Sequence, residues 1–97
     1  MKEITLFYLQ FCPYCVKARR ALEELGRENP AYGSVQIRWI EERREAALAD
    51  QFDYYYVPSI YYEDRKLYEA NPSENYEDIK ANIQAALDIV LRGASEE

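Results

Sequence analysis

The two cysteines of the chain stand two residues apart, in Phe11-Cys12-Pro13-Tyr14-Cys15, between an apolar run and an amphipathic segment. The run at residues 4–9 reads as a strand and the segment from residue 13 onward as a helix. In a strand-to-helix turn of this kind Cys12 takes the helix N-cap. Pro13 takes the first helical position, where a missing N–H costs nothing. Cys15 then lies three residues on from Cys12, on a neighbouring face of the same turn, so the two sulfurs are within reach of a disulfide.

That placement makes the two thiols unequal. Unpaired N–H groups and the partial positive charge of a helix N-terminus favour a thiolate at Cys12. The thiolate is the nucleophile of disulfide exchange. Cys15 begins the series Cys15, Ala18, Leu22, Leu25, whose 3-4-3 spacing is one helix face. That face points to the core, which shields Cys15 and makes it the less acidic thiol. An exposed attacker above a buried resolver is the asymmetry that an exchange enzyme needs. Two other readings stand beside this one. A purely structural bridge over so short a loop removes little chain entropy. Half of a zinc knuckle is the other; with no histidine and no third cysteine, one chain cannot complete a four-ligand thiolate or imidazole site.

The chain of 97 residues makes one domain, residues 1–97, large enough to bury a core without staples. Its formal net charge of −6, with no basic cluster, argues against a nucleic-acid partner. No stretch is long and apolar enough to span a membrane. The apolar start lacks the basic flank and small-residue cleavage site of a signal peptide. A soluble cytoplasmic protein is the expectation.

Along the chain, both alternating sets of positions at residues 4–9 are apolar, which fits a central strand covered on two faces. The first helix is expected over residues 13–25, with Gly26 as its C-terminal cap and a loop over 28–34. Val35, Ile37 and Trp39 alternate with Gln36 and Arg38, as on a half-buried edge strand. Residues 42–52 read as a short helix, and Glu41, Glu42, Arg43, Arg44 and Glu45 as a solvated face. An aromatic loop, Tyr54-Tyr55-Tyr56-Val57-Pro58, leads to a strand at 59–62, a turn, and a charged edge strand at 66–70. The last helix starts near Ser73 or Asn75, buries Ile79, Ile83, Ala86, Leu87 and Val90, and ends at Gly93, beyond which residues 94–97 fray. The order β-α-β-α-β-β-α gives an α/β fold, a four-stranded mixed sheet with helices on both faces.

Pro58 opens a strand otherwise headed for the middle of the sheet. On the residues alone, a trans strand-start proline is the ordinary case, since cis bonds are about 5–6% of X-Pro bonds in folded proteins. A cis bond would turn the chain and face the Val57 backbone outward.

With both motifs in view, the whole chain resembles a thioredoxin-fold protein. Cys12-Pro13-Tyr14-Cys15 is similar to the active-site motif most typical of glutaredoxins, and Val57-Pro58 resembles the cis-proline loop that lies beside the cysteines in that family. The resemblance implies a cis Val57-Pro58 bond next to Cys12. It implies a thiol–disulfide oxidoreductase in which Cys12 attacks and Cys15 resolves. Val57 and Pro58 are then expected to hold the substrate backbone, and Phe11, Tyr14 and Tyr56 to form an apolar rim beside Pro13. Lys17, Arg19 and Arg20 read as a solvated face. The substrates are then expected to be protein disulfides, the donor a reductase or a low-molecular-weight thiol, and the enzyme a monomer without cofactor or metal. The rival from another class is a metal or iron–sulfur module in which two chains pool four thiolates.

Several positions depart from the glutaredoxin pattern. Leu9 stands where the family carries a basic residue for a glutathione carboxylate. Tyr56 replaces a threonine, and near Tyr68 and Glu69 the family's glycine pair is missing. Asn71-Pro72-Ser73 looks more like thioredoxin, yet Phe11 replaces its tryptophan and Leu6 its buried acid. Glutathione is therefore expected to be a poor partner.

Overall fold

The apolar run ahead of the cysteines forms strand β1 (Glu3–Tyr8), and the amphipathic segment after them forms helix α1 (Pro13–Glu28). The computed structural model describes residues 2–96. After α1 come α2 (Pro30–Gly33), β2 (Gln36–Glu41), α3 (Ala46–Ala49), β3 (Ser59–Tyr62), β4 (Arg65–Glu69) and α4 (Tyr76–Glu96). The sheet order is β2-β1-β3-β4. β1 pairs parallel with β2 and antiparallel with β3, and β3 pairs antiparallel with β4. This is the thioredoxin-fold arrangement, with β2 and β4 at the edges as their alternation and charge suggest.

β1 is covered on both faces. Ile4 and Leu6 join a core with Ala18, Ala21 and Leu25 of α1 and the α4 stripe Ile79, Ile83, Ala86, Leu87 and Val90, all buried. Phe7 points the other way, to Ile40, Ala49 and Tyr61. Only the four-residue α3 covers that second face, and aromatic rings fill the remainder. Phe7 lies 4.8 Å from Phe52, 5.1 Å from Tyr54 and 5.8 Å from Tyr61, centroid to centroid. Such pairs contribute about 0.5–1.5 kcal/mol each beyond their burial.

Three helix boundaries differ from the sequence expectation, and the loop expected over 28–34 contains the one-turn helix α2. The helix expected over 42–52 is confined to Ala46–Ala49. Glu41 accepts a hydrogen bond from the Arg43 N–H at 2.7 Å, and this local side-chain contact holds residues 42–45 in turns instead of a helix. Gly93 does not end α4, which continues to Glu96; Glu97 lies outside the described residues. The helix starts as expected behind Asn75. Its side chain accepts from the Asp78 N–H, while the Asp78 carboxylate accepts from the Asn75 N–H.

The third difference is Gly26, which lies inside α1 rather than capping it. The chain turns at Asn29 instead, whose side chain accepts from the Ala31 N–H of α2. A Cβ on Gly26 would lie 3.5 Å from the Gly33 Cα, an ordinary contact. Gly26→Ala is therefore expected to raise stability by about 1 kcal/mol, the helix-interior difference between the two residues. A left-handed cap would give the opposite sign, and urea denaturation of the two proteins decides between them.

Among the described residues, no helix is long and apolar enough to cross a membrane.

Candidate active site

The loop from β1 to α1 is shaped by its backbone. Phe11 has φ 69°, in the left-handed region. For a bulky residue this conformation costs of the order of 1–3 kcal/mol. Its ring is 86% exposed, so burial offsets little of that cost. The turn closes with the Cys12 N–H donating to the Leu9 carbonyl at 3.3 Å. Cys12 then takes the N-cap position with extended backbone, and Pro13 opens the helix. The Cys12 carbonyl accepts the first helical bond, from the Val16 N–H, at 3.0 Å.

The loop also has a brace that sequence reasoning missed. Glu41, expected on a solvated face, is buried at the end of β2, opposite Tyr8 in the parallel register. Its carboxylate accepts from the Gln10 N–H at 3.3 Å as well as from Arg43. The Arg43 N–H, against the opposing effect of desolvation, holds this carboxyl below the usual range, with help from Gln10.

Cys12 is half-buried and Cys15 buried, both as free thiols. The Cys12 sulfur lies 3.9 Å from the Val57 carbonyl oxygen. The Cys15 thiol is pushed up to about 12, chiefly by burial. A backbone hydrogen bond from Leu9 opposes that shift, while the hydrogen bond with Cys12 and the charges of Cys12 and Glu42 add to it. Glu42 in turn accepts from the Tyr54 hydroxyl at 2.9 Å.

The Val57-Pro58 bond is cis. Pro58 is buried and its carbonyl accepts from the Ala70 N–H at 3.0 Å. The Val57 N–H has no partner among the described residues. The second motif thus lies against the first, as the resemblance implies.

A second missed residue holds the aromatic loop. Glu69 accepts from the N–H groups of Tyr55 and Tyr56 at 2.7 and 2.8 Å and from Lys66 at 2.7 Å. Desolvation opposes ionisation of Glu69, but Lys66 and the two N–H groups outweigh it and hold the carboxyl below its ordinary value of 4.5. A depressed carboxyl stabilises the fold above its unfolded value, and that stabilisation is lost as the pH falls through the folded one. Hydrogen-exchange protection of the Tyr55 and Tyr56 amides should therefore fall on acidification below about 4.5, while β1 stays protected. Glu69→Gln should show the low protection already at neutral pH. Unchanged protection in both cases would remove the brace.

The aromatic side chains divide. Phe11 and Tyr56 are exposed beside the cysteines' two loops. Tyr14 instead leans on the main core, and its hydroxyl donates to the Pro72 carbonyl at 2.6 Å. Of the helix cations, Lys17 lies over the Tyr14 ring, and Arg20 pairs with Glu24. Arg19 stacks on Trp39. A cavity of about 480 Å³ between α3 and the aromatic loop has neither cysteine in its wall.

No curated protein matches the chain. Solved structures that resemble it include the following two. A malarial protein is 16% identical with a TM-score of 0.57, over 88% of this chain and 96% of its own. Oxidised glutaredoxin 2 from Chlamydomonas reinhardtii is 23% identical with a TM-score of 0.50, over 95% of this chain and 81% of its own. At these identities the likeness is one of fold. Residues 6–72 match the family described as glutathione S-transferase, N-terminal domain. That match runs from within β1 through both motifs and the hairpin, so the chain belongs to the glutathione S-transferase N-terminal domain family and has a glutaredoxin-like thioredoxin fold.

Proposed function

We propose that the protein is a thiol–disulfide oxidoreductase that reduces protein disulfides through Cys12 and Cys15. One observation carries the reading: an accessible Cys12 at a helix start, facing the Val57 carbonyl, above a buried Cys15. In the forward reaction the Cys12 thiolate attacks one sulfur of the substrate disulfide. The other substrate sulfur leaves as a thiolate and takes a proton. Cys15 then gives up its proton and attacks the Cys12 sulfur of the mixed disulfide, which expels the second substrate thiol. Two electrons have passed to the substrate, and Cys12–Cys15 is left as a disulfide. A reductase or a small thiol returns two electrons and two protons. Val57 supplies a free N–H and a carbonyl for short strand-like bonds to the substrate backbone. The enzyme works as a monomer in the cytoplasm, where such donors are found.

The test is dithiothreitol-driven reduction of insulin. The protein should accelerate it, Cys12→Ser should abolish the acceleration, and Cys15→Ser should accumulate a mixed disulfide on Cys12. No acceleration over dithiothreitol alone, or stoichiometric zinc or iron in freshly purified protein, would overturn the reading.

A further inference from the structure

A pocket of about 190 Å³ opens beside the dithiol, lined by Cys15 and not by Val57. Its wall includes Tyr8, Phe11, Cys15, Val16, Arg19 and Trp39. A cavity of about 150 Å³ holds a benzene ring, so this one has room for a large side chain. Its floor is aromatic: Tyr8 meets Trp39 edge-on at 5.8 Å. Its mouth is apolar, with Phe11 86% and Val16 62% exposed. These two residues flank Cys12 in the chain, Phe11 immediately before it and Val16 one helical turn after. Arg19 adds a single cation. Its guanidinium lies 4.1 Å from the Trp39 ring centroid and has no carboxylate partner among the described residues, whereas Arg20, Lys66 and Lys80 are each paired.

The sheet order says what reaches this pocket. β2, which carries Trp39, and β3, which follows Val57-Pro58, lie on opposite sides of β1. Cys12 sits above the end of β1, between them. A substrate cysteine bonded to Cys12 has Val57 on one side and, on the other, Phe11 and Val16, which border the pocket. Phe11, in the pocket wall, is one Cα step of about 3.8 Å from Cys12, and an extended chain advances about 3.3 Å per residue, so one or two residues past the substrate cysteine bring a side chain over the pocket.

We infer that this pocket is a substrate subsite. It selects disulfide-bearing segments with a large apolar residue within about two positions of the reacting cysteine, followed by a carboxylate that meets Arg19. The inference rests on the oxidoreductase reading and names the substrate class of that site. Arg19 acts locally here, because the net charge of −6 is screened beyond about 10 Å at ordinary salt.

The experiment uses the full chain and short peptides whose single cysteine is disulfide-linked to thionitrobenzoate, so that each attack releases colour. One peptide carries Phe-Asp after the cysteine and its partner Gly-Lys. The ratio of kcat/KM is expected to favour the first by roughly tenfold or more, the discrimination an apolar pocket supplies. Trp39→Ala should collapse the ratio, and Arg19→Glu should reverse the preference for the charged residue. Val16→Glu, on the exposed helix surface, repeats the apolar test if Trp39→Ala does not fold. Because a ratio is read, lower overall activity in a variant does not obscure the answer. Equal rates on both peptides overturn the subsite and leave the exchange reaction standing. Release from neither peptide overturns the exchange reading itself, and the subsite with it.

Discussion

Iodoacetamide added to the reduced protein at pH 7 is expected to label Cys12 and leave Cys15 almost untouched. The Cys15 thiol is pushed up to about 12 by burial, so at this pH its thiolate fraction is of the order of 10⁻⁵. A free cysteine with a value of about 8.5 is roughly 3% ionised under the same conditions. The higher value makes the rare Cys15 thiolate intrinsically more nucleophilic, which returns about 25–50-fold of that deficit. The net expectation is alkylation of Cys15 roughly a hundredfold slower than a free cysteine, before its 7% exposure slows it further. The sign with pH follows. A raised thiol stays protonated through the neutral range, so its rate should climb about tenfold per pH unit without a plateau below pH 10. Mass spectrometry of the two peptides against pH measures both rates. Cys12→Ser isolates the cause: it removes the hydrogen bond and the charge of Cys12, yet the larger effect of burial stays. A plateau near the ordinary value of 9.0, or parallel labelling of the two cysteines, would mean that Cys15 is not shielded as described.

The second large effect concerns the electron donor. Glutathione alone is expected to recharge the protein poorly, although the family takes its name from proteins that use it. Leu9 offers no cation to a glutathione carboxylate. A hydrogen bond to a charged group contributes about 1.5–3 kcal/mol, so its loss is roughly a 10–100-fold deficit. The positions matching the glycine pair of the glutaredoxin pattern are already committed. Tyr68 is buried, and its hydroxyl donates to Glu74 at 2.8 Å. Glu69 is spent on Tyr55, Tyr56 and Lys66. The Tyr14 hydroxyl ties the dithiol turn to Pro72 across the same edge. A glutathione-coupled assay on a small mixed disulfide, run beside a dithiol-driven assay on a protein disulfide, separates the donors. The protein-disulfide reaction should proceed while the glutathione-coupled one lags by the deficit above. Saturable, efficient glutathione turnover would mean that other residues build the pocket.

Why some of this was legible in the sequence and some was not has a physical explanation. β1 could be read because a strand covered on both faces must be apolar throughout, and α4 because its buried stripe repeats with the helical period. The pairing of Cys12 with Val57 could be read because both motifs recur together in one fold family. Glu41 and Glu69 could not. Glu41 looks like part of a solvated charge run and Glu69 like a charge on an edge strand, and a carboxylate that turns back on backbone N–H groups leaves no periodic mark. Only the register of Tyr8 against Glu41 brings the first of them under the cysteine loop. The shortened α3 follows from that same carboxylate. Gly26 misled because a glycine near a helix end suggests a cap, whereas here it lies inside α1 with ordinary room for a Cβ, so nothing in the structure requires glycine there.

The left-handed Phe11 bears on how such a protein is engineered. Screening variants for heat resistance alone rewards whatever relieves backbone strain without uncovering the core. Phe11 meets both conditions, since glycine or asparagine adopts its backbone at little cost and its ring covers almost nothing. A thermostability campaign on this scaffold would accept that exchange early and would strip the ring from beside the dithiol. Library designs that mean to keep the substrate surface intact have to exempt this one position and seek their stability in sites such as Gly26.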